Sequence, residues 1–119
     1  TRAENSEFDV IMLELPLSAD PDVFTYWHVG QHPDGNNYGG VADDRISELL
    51  ERARHDTNGV NRVQIYDQFQ RLFVQRTIAL PLYYPLYTYA VNEQVQGVQL
   101  GFISHPADRF RTINQWTFT

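Results

Sequence analysis

From Phe8 to Leu15 the chain reads FDVIMLEL, an apolar run interrupted only by Asp9 and Glu14. That length and composition predict a strand buried on both faces, as in a covered parallel or mixed sheet. Pro16 has no N–H to donate and ends the ladder. Leu17 to Pro21 is then a loop, and a short apolar-aromatic segment, Val23 to Trp27, follows with Asp22 placed to cap it. In open α/β sheets ligands bind in the crevice beyond the carboxyl ends of the strands. A buried strand that empties into an acidic and aromatic loop is therefore the place to look for function.

Beyond Trp27 the stretch HVGQHPDGNNYGGVADD is polar and rich in glycine, anchored only by Val29, Tyr38 and Val41. Pro33-Asp34-Gly35 is turn chemistry, so this is a long loop of the kind that carries binding work. Asp43 is positioned to cap a helix over 44–54, with Ile46, Leu49, Leu50 and Ala53 as one apolar stripe. The opposite face carries Glu48, Glu51, Arg52 and Arg54 and reads as solvated. Asn58 caps a second helix over 60–75, whose expected stripe runs through Arg62/Val63, Tyr66, Phe69/Gln70 and Phe73, widened by Ile65 and Leu72. The segment TIALPLYYPLYTYA, residues 77–90, reads as one or two short extended pieces with Pro81 and Pro85 at strand edges or a crossing point. The tail, 91–119, holds a turn-like unit at Val95-Gln96-Gly97-Val98 and no helix-length pattern.

Composition narrows the function classes. With 119 residues, 42% hydrophobic and 20% charged, the chain is one domain or a piece of one. A formal charge of -6 and a pI near 5.0 argue against nucleic acid as a partner, because neutralising phosphates needs clustered Lys and Arg. All nine positive charges are Arg, spread among acidic and polar neighbours. The absence of cysteine excludes disulfide frameworks and thiolate metal sites. No apolar run is long enough to span a bilayer as a helix.

The candidate chemistry is sparse. His28 and His32 have the spacing of two metal ligands on one helix face, with Asp22, Asp34 and His55 as candidates to supplement them, but Gly30 and Pro33 argue against a helix there. Asp20 and Asp22 flanking Pro21 form a carboxylate pair without a nucleophile or a convergent base, so they read as turn and helix-start residues. There is no nucleophile elbow, phosphate-cradling glycine loop or zinc motif. No catalytic residue, metal site or cofactor is expected. An enzyme, a small metal-dependent hydrolase using His28 and His32, is the rival from another class; an interaction module using the aromatic loop is a third reading.

Taken in order, the FDVI strand, the ADPD loop, WHVGQHPDGNNYGG, the helices ISELLERAR and VQIYDQFQRLF, the ALPLYYP segment and the late V-x-G-V resemble the C-terminal part of family 5 extracellular solute-binding proteins. That family is the peptide/nickel class serving ABC importers. The resemblance covers nearly the whole chain, and the order and spacing of the motifs carry it. It implies an α/β chain that is part of a two-lobed, type II periplasmic-binding-protein-like fold. Residues 1–80 would belong to the C-terminal lobe, 81–91 would form a crossover or hinge, and the tail 92–119 would return to the N-terminal lobe. The chain would be the last part of a longer protein whose front is missing, and alone it is expected to self-associate.

The function that the resemblance implies is capture of a peptide-like solute by lobe closure and delivery to ABC permease subunits, in the periplasm or outside the cell, with membrane association through the full-length protein. An oligosaccharide or a nickel-type solute is the alternative in the same role. The ligand-binding candidates are Asp20, Phe24, Tyr26, Trp27, His28, Asn36, Asn37 and Tyr38. One departure stands out. Members that bind di- and oligopeptides carry, a few residues before the DPD element, an Asp that pairs with the peptide's amino terminus, and Leu17 falls at about that place here, which counts against small free peptides and favours oligosaccharides or peptides gripped elsewhere.

Overall fold

A computed structural model of the chain describes residues 3, 5, 7–16 and 18–119. The order of elements is α1 (Phe24–Trp27), α2 (Asp44–His55), α3 (Gly59–Gln75), β1 (Val95–Gln96) and β2 (Thr117–Phe118), with 3-10 turns at Val29–Gln31, Pro106–Phe110 and Ile113–Gln115. This is a mixed helix and strand arrangement in two compact units. One consists of Thr1–Leu15 with Asp20–Pro81, the other of Pro16–Ala19 with Leu82–Thr119.

The first unit is built on α2 and α3. Asp43 starts α2 as expected: its carboxylate accepts from the Arg45 and Ile46 N–H groups, two donors that the first helical turn leaves without partners. Asn58 does the same for α3 through Val60 and Asn61. Ile46, Leu49, Leu50 and Ala53 are all within 1% of full burial and meet Ile65, Tyr66 and Phe69 of α3. Each buried aliphatic side chain contributes about 1.5–3 kcal/mol through water exclusion. The stripe on α3 differs from the expected one, since Val63 is 69% exposed. The buried face is centred on Ile65 and Phe69 and extends to Leu72 and Phe73, which turns Val60 and Val63 outward. Arg62 lies at its edge, where Nε donates to the Ala53 carbonyl near the end of α2 at 3.0 Å.

The end of α3 is a Schellman motif. The Thr77 N–H donates to Val74 O at 3.0 Å and the Ile78 N–H to Phe73 O at 3.3 Å. The residue that must turn left-handed is Thr77, with φ of 51°, where glycine would carry no Cβ penalty. The bend brings Ile78 back onto the helical core.

The strand expected over Phe8–Leu15 does not form. Among the described residues the only ladder is β1–β2, so this run has no neighbour to accept its N–H groups. Ile11 and Leu15 are half-buried, whereas Val10 and Met12 are 87% and 77% exposed. Burial on both faces needs layers on both sides, and only one is present. Residues 79–91 are likewise irregular, and Leu80, Tyr83, Tyr84 and Leu86 are each more than three-quarters exposed.

In the second unit β1 and β2 pair antiparallel, Val95 opposite Phe118 and Gln96 opposite Thr117. Gly97 follows β1 with φ of 82°, and a Cβ there would lie 2.5 Å from the Gln115 carbonyl oxygen. Only glycine fits both the backbone and the space. Asp108 ties the 104–111 turn together. One oxygen accepts from the Ser104 N–H (2.8 Å), the Ser104 hydroxyl (2.9 Å) and the His105 N–H (2.9 Å), and the other faces Arg111 at 3.4 Å. These donors, the His105 N–H first, hold the carboxyl well below the usual carboxylate range.

Two outcomes are expected. Replacing Thr77 with glycine relieves the left-handed strain and raises stability by about 1 kcal/mol in chemical denaturation. Asp108 has a depressed folded pKa, so its contribution is fully present above the ordinary Asp value near about pH 4 and is lost as pH falls toward the folded value. Asp108→Asn should therefore lower the denaturation midpoint at neutral pH, and the gap to the parent protein should narrow in strong acid.

Candidate ligand-binding site

The loop that follows α1 is organised by one buried amide. Asn37 is 1% exposed, and its Nδ2 donates to the His28 carbonyl (3.2 Å) and the Val41 carbonyl (2.9 Å), while Oδ1 accepts from the Val41 N–H (2.9 Å). Its backbone adds bonds to Gln31 and Gly40. The 3-10 turn at Val29–Gln31 is pinned to α2, because the Val29 N–H donates to the buried Ser47 hydroxyl at 3.1 Å. Hydrogen bonds to all these partners offset the cost of taking the amide out of water and favour a single loop shape.

That loop presents Asn36 and Tyr38 beside the aromatic end of α1. Together with Tyr26 and Trp27 they line a hollow of about 190 Å³. Ile11, Leu13 and Leu15 form its second wall, and Val41 and Ile78 complete the lining. The Tyr38 hydroxyl donates to Asn36 Oδ1 at 3.2 Å. Trp27 is braced from behind by the edge of Phe73, 4.9 Å between ring centroids. The lining carries aromatic faces, two phenol hydroxyls and one amide, with no charged side chain. Such a hollow holds an uncharged or apolar group and orients it by hydrogen bonds at the edge. A second, wider groove of about 410 Å³ runs along Glu7–Ile11 near Ala3, and it brings together no residues from distant elements.

Four of the eight candidates thus converge on one hollow. The other four, Asp20, Phe24, His28 and Asn37, do not line it; they form the network behind it. The N-cap of α1 is Val23, which makes no side-chain cap, so Asp22, expected to cap α1, lies one residue before the N-cap. It accepts from the Phe24 N–H at 3.0 Å and pairs with Arg54 at 2.7 Å. Asp20 accepts from the Asp22 N–H and pairs with Arg62 at 2.8 Å. The Arg62 hydrogen bond is the main cause that lowers the Asp20 pKa. The Phe24 ring contacts both the Arg54 guanidinium and the stacked His28 ring, each 4.0 Å from its centre. The Gly30 N–H donates to His28 Nδ1, which assigns the proton to Nε2, the donor to Glu51 at 2.9 Å.

The expected spacing of His28 and His32 is interrupted by the 3-10 turn, and His32 Nδ1 meets the Asn37 carbonyl at 3.2 Å. Among the described residues no group of three His, Cys, Asp or Glu is placed to hold a metal ion. Leu17, at the place of the amine-pairing Asp, lies outside the described residues. Ile11, Leu13 and Leu15 were not among the sequence candidates; their spacing of two, which puts them on one face, is the signal that marks them. Nothing in the local sequence marks Arg54 and Arg62 as the partners of the ADPD turn, because they are 32 and 42 residues away from them.

The chain is similar to the di/tripeptide-binding protein 2 of Pseudomonas aeruginosa (strain UCBPP-PA14), with 27% identity over 106 residues. The match takes in 87% of this chain and 20% of the relative, so the chain spans about a fifth of that protein's length. No protein-family model and no solved structure matches the chain.

Asn37→Asp tests the loop hub. A carboxylate there would face two carbonyl oxygens with no hydrogen to offer, so the variant should lose about 2–3 kcal/mol in thermal or urea unfolding. Hydrogen exchange at the Val41 amide should accelerate with it. An unchanged melting temperature and unchanged exchange would show that the amide does not organise this loop.

Proposed function

We propose that this chain is a segment of a two-lobed solute-binding protein that captures peptides for an ABC importer and performs no chemistry on them. The similarity over 106 residues to a protein named for binding di- and tripeptides carries the reading. The uncharged aromatic hollow supports it, because a peptide gripped through its main chain needs roomy, chemically tolerant pockets for side chains. The relative's name favours peptides over oligosaccharides or nickel-type solutes. With Leu17 where the amine-pairing Asp is expected, the amine clamp in this reading is missing or supplied differently.

In this reading residues 1–80 belong to the C-terminal lobe, 81–91 cross between lobes and 92–119 complete the N-terminal lobe. The exposed Val10 and Met12, and the run of solvent-facing Leu and Tyr between Leu80 and Leu86, are surfaces that the rest of the longer protein covers. Peptide binds the closed arrangement better than the open one and shifts the population toward it. The closed form docks on the permease, which places the protein in the periplasm or on the outer side of the membrane.

Calorimetric titration of the full-length protein with a set of di- and tripeptides is expected to give stoichiometric binding, and Tyr38→Ala should weaken it about tenfold, or about 1.4 kcal/mol. Absence of binding to every peptide, or turnover of any of them, would overturn the proposal.

A further inference from the structure

The His28 ring has both nitrogens engaged, in bonds of opposite sense. Nδ1 accepts from the Gly30 N–H at 3.0 Å, which is the side-chain cap of the 3-10 turn at Val29–Gln31. Nε2 donates to Glu51 on α2 at 2.9 Å. The ring stacks on Phe24, with 4.0 Å between centroids and 14° between planes. It also sits close against Gly30, where a Cβ would lie 3.1 Å from Nδ1 and 3.2 Å from Cε1. The His28 side chain is 12% exposed. All of these residues belong to the first unit.

A neutral imidazole satisfies this arrangement, because one nitrogen accepts while the other donates. The imidazolium has two donors and no acceptor, so a proton on Nδ1 sets two N–H groups facing each other across 3.0 Å. One of them has to move, and the contacts with Phe24 and Gly30 leave the ring little room. At the other nitrogen the same proton does the reverse, since the bond to Glu51 becomes one between opposite charges. Protonation thus keeps the ring on α2 and releases the turn. The other charge that α2 brings close is Arg54, on the same Phe24 ring at 4.0 Å, and Asp22 ahead of α1 offsets it at 2.7 Å. From the loop, His32 is turned to the Asn37 carbonyl at 3.2 Å, and α3 meets α1 through the uncharged edge of Phe73 on Trp27.

We propose that His28 is a proton-operated latch: neutral, it closes the 3-10 turn at Val29–Gln31, and protonated it lets that turn go while staying bound to Glu51. The latch lies between the two pairs that line the hollow, Tyr26 and Trp27 before it, Asn36 and Tyr38 after it. Asn37 fixes the later part of the loop to Val41 through an amide that does not titrate, so the release is confined to the turn. The latch is independent of which solute the hollow takes.

Hydrogen exchange of the full-length protein, read by mass spectrometry and corrected for the intrinsic rate at each pH, tests this. The window runs from about pH 8 to about pH 5.5, where histidines and not ordinary carboxylates take up protons. Fragments over residues 29–32 should lose protection by roughly fivefold on acidification, the worth of one ordinary hydrogen bond. The fragment holding the Val41 amide, which is bonded to Asn37, should keep its protection. In His28→Asn the side-chain oxygen can accept from the amide two residues on, as Asn92 does from the Gln94 N–H at 2.9 Å, and it does not titrate. That variant should hold the turn at both ends of the window, with His32, His55 and His105 still present as controls. Glu51→Gln removes the counter-ion of the imidazolium and keeps an acceptor oxygen, so the loss should move to lower pH. Protection over 29–32 that ignores pH in the wild type, or falls equally in His28→Asn, overturns the proposal. So does a loss that spreads equally to the Val41 fragment, which is general loosening. If His28→Asn does not form the turn even at the upper end, Glu51→Gln decides, and a loss that stays at the same pH overturns the latch.

Discussion

The contact between α2 and α3 is what the first unit depends on. Its seven side chains are the buried hydrophobic core of the described residues, and Val23, Phe24, Trp27, Leu72, Phe73 and Ile78 pack against it. α1 lays Phe24 and Trp27 against that core, and Ile78 returns to it through the left-handed bend at Thr77. The Asp20-Pro21-Asp22 turn is tied to α2 and α3 by Arg54 and Arg62, so a short aromatic helix of four residues, far too short to persist alone, is held in place. Individually such partly exposed ion pairs contribute little to stability. Their use here is positional.

Behind the aromatic hollow the division of labour is clear. Residues with charge or titratable rings, Asp20, Asp22, His28, Glu51, Arg54 and Arg62, spend their hydrogen bonds on one another and on the backbone. Residues with uncharged polar edges, Tyr26, Asn36 and Tyr38, are the ones that face the hollow. A hollow arranged this way offers shape and hydrogen-bonding edges, and no charge.

Helices and caps were legible in the sequence because they are local. Asp43, Asn58 and the α2 stripe follow from a few neighbouring residues, and all three are found. The strand over Phe8–Leu15 was misread because a strand is defined by a partner, and a run of Val, Ile, Met and Leu cannot say whether the partner belongs to the same stretch of chain. Val63 was misassigned because the apolar residues of α3 nearly encircle it, and the period alone does not fix which side meets α2. At the site, the aromatic members were visible from composition. The split between lining and support was not, since it depends on Arg54 and Arg62 reaching back to the ADPD turn from two helices later in the chain.

The amide of Asn37 has one more consequence. It holds the aromatic wall without using a single charge, whereas the turn that carries α1 is clipped by ion pairs. Ions in solution screen the clips and leave the amide bonds untouched, and acid reaches the carboxylates long before it affects an amide. In brine or acid the mounting of the short helix would slacken first, while the Asn36–Tyr38 side of the hollow kept its contour. The two sides of the hollow thus fail in sequence and not together.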